Sequence, residues 1–141
     1  MIRGAGSVAD RHESGVLDTC TYLDLGQLDP ASLPKVPELT AVTMAELHQG
    51  VAMAKDGVTR AARTEKLGAA IAEFAPLPFD GHAAARYGTL VALVIAINRD
   101  PRPRRMDLMI AAIASSRELP LYTRNPSDFK GLKNLLDVIP V

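Results

Sequence analysis

At 141 residues, with 48% hydrophobic and 23% charged residues, the chain suits one globular domain that buries roughly two thirds of its unfolded surface. Sixteen basic residues balance sixteen acidic ones, which excludes a global positive field, so any hold on a nucleic acid must come from local patches. Aromatic residues at 4% and the absence of Trp argue against the stacking platforms of RRM and OB-fold proteins, and the lone Cys20 excludes an internal disulfide.

Residues 1–14 mix Gly, Ser and charges without periodicity and read as a flexible N-terminal extension, with the folded domain spanning 15–141. Gly15-Val-Leu-Asp18 is a short apolar run that stops at an acid, as a buried parallel strand does when its end reaches a pocket. Leu23 to Pro37 holds three prolines and reads as a short helix or loop, followed by a second strand over Glu38 to Val42. Thr43-Met-Ala-Glu46 matches a capping box, with Met44, Leu47, Val51 and Ala54 following at helical spacing, so Glu46 is expected in the first turn of that helix.

Val58 to Phe74 is Ala-rich and helical in pattern, and Ala75-Pro-Leu-Pro-Phe79 suits a third, short strand at an edge or strand start. Asp80-Gly-His opens a helix over Ala83 to Ile97 whose apolar residues run nearly all round after Tyr87, which predicts deep burial. Two prolines stiffen the arginine-rich loop from Arg99 to Arg105, and Asp107 stands directly ahead of an apolar helix over Leu108 to Ser115. Leu119 to Thr123 is a fourth strand, Arg124 to Lys130 a turn, and Leu135 to Val141 a last strand.

Strands alternating with helices imply right-handed crossovers and a mostly parallel central sheet flanked by helices, a three-layer α/β/α arrangement with its site at the C-terminal strand ends. The longest apolar stretch, Leu90 to Ile97, is far short of the roughly 20 residues that span a bilayer. With no secretory leader pattern, a reducing cytoplasm is the expected setting. No strand is followed by a Gly-rich phosphate loop, so nucleotide cofactors are not indicated.

Asp18, Glu46 and Asp107 come from distant segments, yet each falls where a strand ends or a helix begins, next to a fourth acid, Asp128. Carboxylates gathered in one pocket repel one another unless a cation neutralises them, and Mg²⁺ or Mn²⁺ suits an all-oxygen site. Singly, each acid has a plainer reading: Glu46 as a capping-box glutamate, Asp107 as an N-cap, Asp18 as an Asx-turn former. His12, His48 and His82 share no metal-ligand spacing and read as structural or surface histidines.

Val16-Leu-Asp-Thr19, Thr43-Met-Ala-Glu46-Leu-His-Gln-Gly50, Met106-Asp107-Leu-Met-Ile-Ala-Ala-Ile-Ala114 and Tyr122-Thr-Arg-Asn-Pro-Ser-Asp-Phe129, in that order, resemble the PIN-domain toxins of VapBC type over roughly Gly15 to Val141. The resemblance implies a PIN-like fold and an endoribonuclease toxin hydrolysing RNA to leave a 5′-phosphate. It also implies one or two Mg²⁺ or Mn²⁺ ions among Asp18, Glu46, Asp107 and an acid of the last motif. It further implies a homodimer and a small VapB-like antitoxin whose tail would occupy the active-site groove, received by an apolar surface of the early helices. Of the fourth-position candidates, Asp128 is preferred as ligand, with Asn125 as a polar neighbour; the resemblance has Thr19 support the first carboxylate, and Thr123 is a further supporting candidate.

Arg104 and Arg105, in the loop before Asp107, and Arg124 are candidate RNA contacts; solvation, or for Arg124 an ion pair, is the plainer reading. Cys20, where many relatives carry Ser, is expected to be a buried packing thiol without a role. Two rivals stand beside the nuclease reading. A haloacid-dehalogenase-like phosphatase would need a second acid where Cys20 stands. A non-catalytic RNA- or protein-binding module would have no use for an acid cluster.

Overall fold

The computed structural model describes residues 12–141. The expectation for residues 1–11 of the N-terminal extension therefore lies outside the described residues, whereas His12 and Glu13 already pair by backbone with the segment before the second strand: Lys35 and Val36 donate their N–H groups to the carbonyls of His12 and Glu13. The first strand, β1, is Ser14–Leu17, starting one residue ahead of Gly15.

The chain continues through α1 (Thr19–Leu23), two 3₁₀ turns, β2 (Val36–Glu38), α2 (Ala41–Ala52), α3 (Gly57–Glu73) and α4 (Gly81–Ala96). A 3₁₀ turn over Arg102–Arg104 leads into α5 (Arg105–Ser116), then β3 (Leu121–Thr123), a 3₁₀ turn over Pro126–Phe129, and β4 (Val138–Pro140). The four strands form one sheet in the order β2-β1-β3-β4, and every pairing is parallel.

Strand side chains alternate between faces, and the two neighbouring residues of each central strand divide accordingly. Val16 and Leu121 join the core under α4 and α5, whereas Leu17 and Tyr122 join a second core built with Leu47 of α2 and Leu67 and Ala70 of α3. The result is the expected three-layer α/β/α sandwich. Within it α5 is the buried helix: Leu108, Ile110 and Ile113 are fully enclosed, and cutting any one back to Ala costs about 2–5 kcal/mol. Gly15 is required by close packing, because a Cβ there would lie 2.4 Å from the Tyr122 ring on the adjacent strand.

Four expectations need correction. The second strand is β2 at Val36–Glu38, not 38–42, because Thr40 ends the extended segment by capping α2: its hydroxyl accepts the Thr43 N–H at 3.1 Å. The third strand shrinks to a single bridge between Thr40 and Leu77, since Pro76 and Pro78 have no N–H to extend a ladder. Helix α5 starts at Arg105, so Asp107 lies inside its first turn and not ahead of it.

The fourth concerns α4, which is not deeply buried. It packs on α5 through one stripe, Ala83, Leu90 and Val94, and leaves Ile95 56% and Ile97 39% exposed. A helix outside α5 has only one face to bury, and the remainder of its apolar surface is available to something else. Among the described residues no helix is long and apolar enough to cross a membrane.

Candidate active site

Asp18 follows β1 directly and is 4% exposed. One carboxylate oxygen accepts the Thr21 N–H at 3.0 Å, capping α1, and the other accepts the Thr123 hydroxyl at 2.6 Å. The cap reading of Asp18 is thus correct but incomplete, because the second bond reaches the end of the neighbouring strand. Thr123 is oriented in turn by the Asn125 N–H, which donates to its hydroxyl at 2.9 Å. Asn125 therefore acts on the site through its backbone amide. Two donors fix the direction of this buried carboxylate, and each oxygen keeps a lone pair for a further partner.

Because α2 begins at Ala41, Thr43 sits inside the helix and the capping box over Thr43 to Glu46 does not form. Glu46 lies past the first turn, released from any capping duty. Its carboxylate instead accepts the Thr19 hydroxyl at 2.5 Å, and Thr19 also meets the Thr43 hydroxyl at 3.0 Å. Thr19 therefore supports Glu46, whereas the resemblance assigned it to the first carboxylate. Asp107 is likewise no N-cap: the capping position of α5 is Arg104, which makes no side-chain cap bond.

Asp107 reports on the charge around it. Burial first, then the carboxylates of Asp128, Asp18 and Glu46, push its pKa up to about 6, while Arg104 pulls the other way. All four acids thus act on one basin at the C-terminal edge of the sheet. They are held back from one another: Asp18 by Thr123, Glu46 by Thr19, and Asp128 by Arg104 at 3.7 Å. Among the described residues no three Asp, Glu, His or Cys side chains stand close enough together to hold a metal ion as they are placed. Four hard oxygen donors, whose repulsion adds to burial in raising the Asp107 pKa, are chemically suited to a divalent cation, which would relieve that repulsion.

Arg124 pairs with Asp24 at 3.1 Å, Arg102 with Asp100 at 3.1 Å, and Arg105 is exposed at the rim. His48 and His82 lie on the surface, and His12 stands 3.5 Å from Asp137, away from the acids. Cys20 is exposed, contrary to the expectation of a packed thiol, because α1 turns it outward. Partial burial, and then Asp18, Asp107, Asp24 and Glu46, raise its pKa, which keeps it a protonated, weakly nucleophilic thiol. Two contributors were not picked out in the sequence: Thr21, whose N–H holds Asp18 and whose hydroxyl accepts the Arg124 N–H at 3.1 Å, and Thr43. The available signal was a threonine beside each acid-bearing segment.

The all-parallel sheet between helical layers, with acids gathered at its C-terminal edge, defines a PIN-type domain. No family model matches the sequence. The chain is 38% identical over 128 residues to Ribonuclease VapC5 of Mycobacterium tuberculosis, a match covering 89% of this chain and 92% of that protein. The crystal structure of VapBC-5 from the same organism superposes with a TM-score of 0.80 at 36% identity, covering 92% of this chain and 99% of that one. FitAcB from Neisseria gonorrhoeae gives a TM-score of 0.67 at 26% identity, covering 88% of this chain and 95% of that one. The chain belongs to the VapC family of ribonucleases.

Proposed function

We propose that the protein is an endoribonuclease toxin that hydrolyses RNA phosphodiester bonds with Mg²⁺ or Mn²⁺ at Asp18, Glu46, Asp107 and Asp128, and that a small VapB-like antitoxin neutralises it in the cytoplasm. The observation that carries the reading is the convergence of three carboxylates on Asp107, in a chain 38% identical to a ribonuclease. A divalent cation, when bound, supplies the charge that polarises a phosphodiester and makes water a nucleophile near neutral pH. The side chains supply orientation. Thr123 and the Thr21 N–H hold Asp18 against rotation, and Thr19 holds Glu46, so ordering entropy is spent in folding and not at the reaction. Arg104, Arg105 and Arg124 lie on segments next to the acids, where they would take flanking phosphates.

A groove of about 770 Å³ starts at Thr19 and Glu46 and runs between α2 and α3. Its floor is apolar, with Leu23, Leu47 and Met53, and Arg63 and Lys66 stand on its α3 side. That combination suits an antitoxin tail with apolar anchors and acidic flanks, reaching the acids at the groove's end. The uncovered side of α4 at Ile95, 56% exposed, suits the homodimer.

The test is cleavage of RNA with Mg²⁺ or Mn²⁺ by the native chain, Asp18→Asn and Asp107→Asn. Cleavage by the native chain alone is expected, and equal activity in all three would sink the reading. Absent cleavage together with no metal-induced rise in melting temperature would favour the non-catalytic module.

A further inference from the structure

The four acids of the site are not restrained alike. Asp18 and Glu46 are held by neutral hydroxyls, whereas the ion pair of Asp128 among the described residues is with a cation, Arg104, whose guanidinium stands 3.7 Å from its Oδ1. Arg104 is not a loose surface arginine. Its side chain is 27% exposed, and its backbone ends a 3₁₀ turn that Pro101 precedes and that contains Pro103. The Asp100 carboxylate accepts the Arg102 N–H at 3.0 Å, and the Arg104 N–H returns to the Pro101 carbonyl at 3.0 Å. A second arginine of the same segment, Arg99, donates to the Ser127 carbonyl at 2.8 Å, so the arginine loop is strapped at two points to the 3₁₀ turn that carries Asp128.

We propose that Arg104 is a resident counter-cation of the acid cluster: it engages Asp128 in the free protein, competes with the divalent ion for that carboxylate, and thereby sets how strongly the site takes up metal. The proposal rests on the metal-nuclease reading above and adds to it a positioning residue outside the acid set. A free guanidinium on a flexible loop would contribute little, because ordering two long side chains offsets most of the attraction. Here prolines and the Arg99 strap have already ordered the loop, and Asp128 lies in a short turn of its own. Once a cation takes Asp128, Arg104 is left at the rim of the site as a free donor fork of the kind that binds phosphate.

The measurement is Mn²⁺ binding to the intact, metal-stripped chain, read from the loss of the free-ion electron paramagnetic resonance signal at low salt. Native protein, Arg104→Gln, Arg104→Lys, Asp128→Asn and the Arg104→Gln/Asp128→Asn double variant would be compared, with melting curves to verify folding. Removing the competing charge is expected to tighten Mn²⁺ binding about threefold, the scale of a partly exposed ion pair. Arg104→Lys should stay near native, and the Arg104→Gln effect should largely vanish in the Asp128→Asn background. If native protein binds Mn²⁺ but Arg104→Gln binds it equally or more weakly, or if the effect persists without Asp128, the proposal is overturned while the metal reading stands. No Mn²⁺ binding by the native chain would overturn both.

Discussion

Thr123→Val replaces one hydroxyl of a fully buried side chain with a methyl of similar size, so the cost is the lost hydrogen bonding and not a cavity. The hydroxyl makes two bonds, donating to Asp18 at 2.6 Å and accepting the Asn125 N–H at 2.9 Å. Asn125 is exposed, so water replaces that bond at little cost. The bond to Asp18 is different: the acceptor is charged and 4% exposed, and a charge-assisted bond of this kind is worth about 1.5–3 kcal/mol. Asp18 keeps the Thr21 N–H, which places the expected loss near the middle of that range, about 2 kcal/mol. With a urea m-value of about 2 kcal/mol/M, the unfolding midpoint should fall by about 1 M at unchanged slope. Because the lost hydroxyl also orients a carboxylate of the proposed cation site, Mn²⁺ affinity should drop about 10- to 100-fold. Equilibrium urea unfolding without metal and Mn²⁺ titration of the same preparation read the two effects separately. A stability loss under about 0.5 kcal/mol with native Mn²⁺ affinity would refute the claim that Thr123 holds Asp18 for the site.

Three other outcomes are expected. The raised pKa of Asp107, about 6 against about 4 unfolded, means that the folded state binds the proton more tightly, so this group's favourable contribution is complete below pH 4 and lost as pH rises through 6. Metal-free Asp107→Asn should therefore gain on native protein between pH 4 and 7, by about 1 kcal/mol once partial exposure is allowed for, and saturating Mn²⁺ should reverse the ranking; a pH-independent difference would contradict it. Thr40→Ala should cost about 1–2 kcal/mol because Thr40 caps α2, and a loss under about 0.5 kcal/mol in urea unfolding would place the cap elsewhere. Ile95→Lys, at a 56% exposed position, should leave the melting temperature within a few degrees and halve the mass that light scattering reads for the proposed homodimer; a monomeric native chain, or a dimer mass unchanged by the substitution, would overturn that placement.

What was legible in the sequence follows from which physics is local. Alternation of apolar runs and helical patterns carried the three-layer sheet, because burial on both faces of a parallel strand is written in consecutive residues such as Val16 and Leu17. Helix starts were not legible to the residue, and at this site that matters. Thr40 and Thr43 are both competent caps three positions apart, and the choice is made by a non-local event, the backbone exchange in which Leu77 and Ala41 bond across to each other's segments. Taking Thr43 as the cap gives Glu46 a structural task; taking Thr40 frees Glu46 for Thr19 and the acid basin. The same shift at α5 turns Asp107 from a helix cap into an unrestrained carboxylate. Periodicity also fails at α4, because an all-round apolar helix looks the same whether it is bound for a core or for a second chain. A candidate catalytic acid that doubles as a plausible cap is therefore weighed by locating the true cap: once Thr40 is seen to satisfy the start of α2, the cost of keeping Glu46 among three other carboxylates has no structural return, and function is what remains to account for it.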